Sequence, residues 1–187
     1  SMIDAGAPSP SVEAILHALI PHPFVDHTHA DAIIAITNTP DGRRQIEEIY
    51  GDRMVIVPYV MPGFKLARRC AEAFEEQAHE GTQGMILLKH GIFTFGATAQ
   101  ESYERMIALV DEAERYLERH HAFMVEYPEV APPAEAQRLP LAAFRHELSD
   151  TAGFPVIVAS HNDIQALSFA RRADVRQVAQ QGPLTPD

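Results

Sequence analysis

Two short runs of unbroken apolar residues, Met54-Val55-Ile56-Val57 and Gly84-Met85-Ile86-Leu87-Leu88, constrain the fold of this chain more than any other feature. Neither alternates polar with apolar residues, so each reads as a strand buried on both faces. A strand of that kind needs helices above and below it. The sequence supplies them. Between the two runs, Ala67, Cys70, Ala71, Phe74 and Ala78 form a helical stripe that Gly81 ends. After the second run, Thr98-Ala99-Gln100-Glu101 is a capping box. It opens a long helix with Ala99, Tyr103, Met106, Ile107, Val110 and Leu117 at helical spacing. Upstream, Phe24 to His29 reads as a strand, Ala30 to Thr37 as a buried helix, and Pro40 opens a helix that reaches Tyr50 and stops at Gly51. Strands alternating with helices predict a layered α/β domain.

The ends are less patterned. Ser1 ahead of Met2 reads as a tag remnant. A short helix is expected from Ser11, which can cap it, with Val12, Ile15, Leu16, Leu19 and Ile20 on one stripe. Pro128, Pro132, Pro133 and Pro140 mark a linker. Beyond it a helix carrying Leu141, Phe144 and Leu148, a strand over Pro155 to Ala159, a helix from about Asn162 and a loop-like tail are expected.

Composition narrows the class. At 187 residues and 46% hydrophobic, the chain is long enough for one domain and too apolar to be disordered. No apolar run approaches the ~18 residues of a membrane span. The 15 basic against 26 acidic residues give −11, which argues against a nucleic-acid or anionic-membrane surface. A single cysteine, Cys70, excludes an intrachain disulfide and a cysteine-based zinc site. The expectation is a soluble cytoplasmic protein, and its ten histidines are where chemistry is to be sought.

Three groups stand out. On a strand, His27 and His29 of Val25-Asp26-His27-Thr28-His29 project to the same face and can share one cation. The spacing alone fits two surface histidines on an edge strand equally well. His90 follows the run ending at Leu88, at the carboxyl end of a buried strand, where α/β domains place their sites. With His27 and His29 it completes a three-nitrogen set that leaves a fourth position open, as a catalytic divalent metal requires. Glu13 and His17, four residues apart, share a helix face. A first-turn glutamate also suits the helix dipole by itself, and His17 is expected to orient a neighbour or to pack.

At these residues the chain resembles the class II aldolase/adducin superfamily of small sugar-phosphate lyases. The matching stretches are Pro10-Ser11-Val12-Glu13 with His17, Val25-Asp26-His27-Thr28-His29-Ala30, and Leu87-Leu88-Lys89-His90-Gly91 with Gly96 and the helix from Thr98. The likeness is nearest to the aldolase part of bifunctional proteins that carry a short-chain dehydrogenase after it. The resemblance implies His27, His29 and His90 as metal ligands, normally for zinc, Glu13 as catalytic acid/base, and Ser11 beside the phosphate-contacting serines. It also implies a three-layer αβα sandwich and a homotetramer with active sites between subunits. The implied reaction is retro-aldol cleavage of a ketose 1-phosphate through an enediolate that the metal stabilises. A sibling epimerase or dehydratase would use the same histidines, and a non-catalytic adducin-like module or inactive fragment would need none of them.

One departure stands against the resemblance. The Gly-Asn-x-Ser and Thr-x-Ser-Gly-like loops that grip substrate phosphate in the family do not precede Ser11 here, so the sandwich is expected to lack its N-terminal strands. Accordingly, residues 1–10 are expected to be a tag remnant and extension, and 11–127 the metal-site core. Residues 128–187 are expected to be a Pro-rich linker with a helix-strand-helix, either of the same domain or starting a connection to another.

Overall fold

The computed structural model describes residues 6, 11, 13–123, 138–159 and 163–181. It divides into two compact units, one covering residues 1–123 with 183–187 and the other residues 124–182.

The first unit is a three-layer α/β sandwich. Its sheet has four strands, β1 (Phe24–Thr28), β2 (Met54–Val57), β3 (Gly84–Leu87) and β4 (Gly91–Gly96), in the order β1-β4-β3-β2. β2 and β3 run parallel, while β4 is antiparallel to both β3 and β1. Because strand side chains alternate faces, each central strand feeds two cores. Met54, Ile56, Ile86 and Ile92 pack under α2 (Asp31–Thr37), α3 (Gly42–Tyr50) and α5 (Ala99–Arg119). Val55, Val57, Met85, Leu87, Phe93 and Phe95 pack under α1 (Ala14–Leu19) and α4 (Phe64–Gln77). β2 is an edge strand whose four residues are all buried. The Gln77 carboxamide accounts for part of this, accepting from the Ile56 N–H at 3.0 Å and donating to its carbonyl at 3.3 Å as a neighbouring strand would. Tyr50 donates to the Leu109 carbonyl at 2.6 Å, and Arg53 pairs with Glu112 at 2.5 Å, tying the end of α3 to α5.

Several sequence expectations shift here. β4 was not anticipated, and Gly84 to Gly96 is a β-hairpin rather than a strand leading straight to a helix. α1 starts at Ala14 with Glu13 at its N-cap, not at Ser11. Leu16 and Ile20 are buried as expected, but Ile15 and Leu19 face outward. Along α5 the buried stripe is Ser102, Met106, Leu109, Ala113, Tyr116 and Leu117. Tyr103 and Ile107 therefore lie on the exposed side, because the small Ser102 and Ala113 let α5 approach the sheet where a bulky side chain would hold it off. The Thr98 cap forms, accepting from Glu101 N–H at 3.1 Å, while Glu101 reaches back to Ala97 N–H at 2.7 Å. α4 ends at Gln77, ahead of Gly81.

In the second unit, α6 (Arg138–Ala152), α7 (Ile164–Ala170) and α8 (Val175–Ala179) are helices. Pro140 sits in the first turn of α6, where its missing N–H costs no hydrogen bond, so it does not extend the linker. The expected strand over Pro155 to Ala159 is not one, because no described strand stands beside it. Side chains of α6 take its backbone instead: Ser149 Oγ accepts from Val156 N–H and Arg145 Nε donates to the Val156 carbonyl. Pro128, Pro132, Pro133, Asn162 and the tail from Gly182 lie outside the described residues. No described helix is long and apolar enough to cross a membrane.

Candidate metal centre

Four side chains from three parts of the first unit meet at one end of the sheet. β1 supplies His27, the residue just past its end is His29, the turn between β3 and β4 carries His90, and the N-cap of α1 is Glu13. One donor atom from each lies within 4.8 Å of the others. The focus is Glu13 Oε1, which stands 2.8 Å from His90 Nε2, 3.3 Å from His27 Nε2 and 3.8 Å from His29 Nε2.

Each ring is oriented by its surroundings. His27 Nδ1 donates to the Ile92 carbonyl at 2.9 Å, and since a carbonyl only accepts, the proton is on Nδ1 and the Nε2 lone pair points into the cluster. The same ring stacks on Phe93 with centroids 4.0 Å apart and planes at 11°. Phe93 in turn receives the edge of His17 at 5.4 Å, so His17 packs behind the site. Burial pushes the His27 pKa down to about 4, against the Ile92 hydrogen bond and the Glu13 charge. It is thus a neutral donor at pH 7. The His29 ring meets His27 at 4.9 Å and His90 at 4.8 Å, both edgewise. Gly91 makes room for them, since a Cβ there would collide with the Thr28 carbonyl and lie 3.1 Å from ring carbons of both His27 and His29.

His90 is only 1% exposed. It closes a β-turn with its N–H on the Leu87 carbonyl at 3.1 Å, and Lys89 before it has φ of 62°. The strand ends at Leu87, so face alternation does not describe Lys89 and His90; turn geometry does. Burial raises the Glu13 carboxyl, but the neighbouring imidazoles and the His90 hydrogen bond outweigh it and hold its pKa below the usual carboxylate value. The shortest of the contacts to this carboxylate is His90 Nε2 at 2.8 Å.

The donor set suits a divalent cation. Donors around a tetrahedral ion at about 2.0–2.1 Å stand roughly 3.4 Å apart, and the imidazole nitrogens here lie within 4.8 Å of one another, near enough for one ion to draw them together. Buried His27 Nε2 has no hydrogen-bond partner among the described residues, as a preformed ligand nitrogen would. Ser11 is exposed and lies outside this cluster; its Oγ accepts from the Glu13 N–H at 3.2 Å. Sequence reasoning missed the residues that orient the site: Ile92 and Phe93, because β4 was not anticipated, and Thr37, whose hydroxyl accepts from Lys89 N–H at 3.1 Å. The run Ile92-Phe93-Thr94-Phe95, bounded by Gly91 and Gly96, is strand-like in composition, but only its pairing with β1 makes it β4.

A layered α/β domain with histidines gathered where two parallel strands end defines a protein equipped to hold a cation. The model of the class II aldolase and adducin N-terminal domain matches residues 2–117, and the chain belongs to that family. A Bacillus subtilis protein described as the uncharacterized oxidoreductase YuxG is 33% identical over 193 residues, an alignment covering 100% of this chain and 27% of that protein. The N-terminal class II aldolase domain of a conserved protein from Thermoplasma acidophilum is 46% identical with a TM-score of 0.55, over 63% of this chain and 53% of that one. An aldolase II superfamily protein from Pseudomonas syringae, 18% identical with a TM-score of 0.52 over 100% of this chain and 71% of its own, shares the fold. The chain spans about a quarter of the Bacillus protein (27%) and about half of the Thermoplasma chain (53%).

Proposed function

We propose that this chain carries the metal site of a divalent-metal-dependent aldehyde-lyase that cleaves a ketose 1-phosphate, or a related sugar, by retro-aldol chemistry. The observation that carries the reading is the convergence of His27, His29 and His90 on Glu13 Oε1. The three imidazoles are the proposed ligands, with Zn2+ the expected ion. A bound divalent cation supplies Lewis-acid stabilisation of the negative charge that builds up as the carbon–carbon bond breaks.

The chain's own residues do the rest. Neutral imidazoles add no negative charge, so the pocket favours an anionic product more than a carboxylate cage would. Cleavage turns the substrate hydroxyl into the aldehyde carbonyl, releasing its proton to solvent, and leaves an electron pair on the carbon beside the substrate carbonyl. Glu13, a carboxylate at rest, takes up a proton from solvent and delivers it to that carbon, and in the reverse direction removes it. Its side chain is half-buried, close enough to the ligands to act at the reacting carbon and open enough to exchange its proton. Ser11, with its oxygen accepting from Glu13 N–H, keeps its own O–H for a substrate oxygen and is the proposed phosphate contact. The products would be dihydroxyacetone phosphate and an aldehyde. Assembly as a homotetramer and a dehydrogenase on the same parent chain complete the proposal, the latter suggested by the longer Bacillus relative.

The test is a coupled assay for dihydroxyacetone phosphate on protein loaded with Zn2+, run against a panel of ketose 1-phosphates and repeated after chelation. Metal-dependent release of the triose supports the lyase. An epimerised or dehydrated sugar with no triose released overturns it in favour of a sibling reaction.

A further inference from the structure

The backbone that presents His90 is held by three consecutive N–H groups, each with a different partner. Leu88 N–H binds the Val57 carbonyl at 3.0 Å, Lys89 N–H binds Thr37 Oγ1 at 3.1 Å, and His90 N–H binds the Leu87 carbonyl at 3.1 Å. Two of these partners are main-chain carbonyls that no substitution removes. The middle one is a side chain. It anchors the residue that most needs anchoring, since Lys89 has φ of 62°, a left-handed conformation that a residue with a Cβ adopts only under constraint. Type II turns place glycine at this position for that reason.

Thr37 is suited to the task. It is the last residue of α2, its exposure is 2%, and its own hydroxyl proton goes back to the Ile34 carbonyl at 3.4 Å, which leaves an oxygen lone pair for Lys89. The metal-site reading gives this contact a consequence. A ligand imidazole displaced by a fraction of an ångström no longer meets an ion fixed by two others.

We infer that Thr37 is a positioning residue of the metal centre: through the Lys89 N–H it holds the turn that aims His90 at the ion. The inference rests on the proposed metal-binding role of His27, His29 and His90. It predicts that the hydroxyl, not the volume, of residue 37 sets metal affinity.

The test measures Zn2+ affinity of the 187-residue protein by competition with a chromophoric chelator, together with the visible spectrum of the Co2+ form and the melting temperature without metal. Thr37→Val keeps the shape and loses the acceptor; Thr37→Ser keeps the acceptor and loses a methyl. The expected result is Zn2+ affinity 10–100-fold weaker for Thr37→Val with an altered Co2+ spectrum, the usual scale for removing an outer support of a metal ligand, and near-parent affinity for Thr37→Ser. A purely structural role would lower the melting temperature of both variants and move neither affinity nor spectrum. Should Thr37→Val not fold, Thr37→Ala against Thr37→Ser makes the same comparison. Equal affinity of the hydroxyl-bearing and hydroxyl-lacking variants overturns the inference. His90→Ala separates the two levels of the argument. If the parent binds no Zn2+, or His90→Ala binds it as the parent does, the metal-centre reading itself fails. If His90→Ala loses affinity and Thr37→Val does not, only the positioning role falls.

Discussion

Glu13 serves the fold and the site with different atoms. Its backbone sits at the N-cap of α1 without a side-chain capping bond, so its carboxylate is free to turn away from the helix toward three imidazoles. A glutamate spent on its own helix could not do this. Glu13→Gln is nearly isosteric and leaves the three histidine nitrogens in place, so Zn2+ binding should persist. Turnover should fall by about two to four orders of magnitude, the scale of a lost acid–base group. Parallel metal analysis and rate measurement check this, and undiminished turnover would remove Glu13 from the mechanism. His90→Ala should instead abolish stoichiometric Zn2+ binding, because the imidazoles of His27, on β1, and His29, just past its end, do not by themselves enclose an ion. Equilibrium dialysis against buffered Zn2+ reads that loss.

At the scale of elements, the hairpin β3–β4 decides whether the site exists. It brings His90 back beside β1 and lays Phe93 beneath His27, with Ile92 fixing the tautomer. Gly91 starts its second strand with no space for a side chain between the Thr28 carbonyl and two ligand rings. Gly91→Ala should therefore force β1 and β4 apart, destabilising the protein by about 1–3 kcal/mol, as overpacking does, and weakening metal binding disproportionately. Urea unfolding of the metal-free form set beside Zn2+ affinity separates the two effects; an unchanged affinity would show that the rings have room to adjust. The same hairpin marks where sequence reading stops. His27 and His29 were legible because period-two spacing on a strand needs no partner to interpret. His90 was legible as a polar residue closing an apolar run. Its real setting was not, since Gly91 to Gly96 reads as a strand only once its pairing with β1 is known, and the left-handed Lys89 is invisible in a residue that rarely adopts that conformation. Pro155 to Ala159 errs the other way: it has strand composition and no strand to pair with among the described residues, so propensity alone could not make it one.

The molecule as a whole distributes its chemistry unevenly. Every residue of both hydrophobic cores falls before residue 118, and so do all four donors of the cluster. In the second unit the 15-residue α6 has no buried residue, and Ile157 is 96% exposed. The layered arrangement and the helices of the first unit were legible from apolar periodicity, because two-sided burial leaves an unmistakable run. Which side of α5 faces the sheet was not, because the side chains that permit close approach there, Ser102 and Ala113, carry little hydrophobic signal. From this division follows a prediction for the whole chain. A protein ending at Phe123 retains every core and site residue described above, so it should fold and bind Zn2+ within a fewfold of the full 187 residues. The residues of both described cores fall within 16–117, and the hydrogen bonds described for the turn carrying His90 run to Val57, Thr37 and Leu87, all within the shortened chain. Circular dichroism and chelator competition on the shortened chain measure both claims. A shortened chain that folds yet loses Zn2+ would mean that the second unit contributes to the centre, and one that does not fold would mean that the sandwich depends on cover that its own cores do not provide.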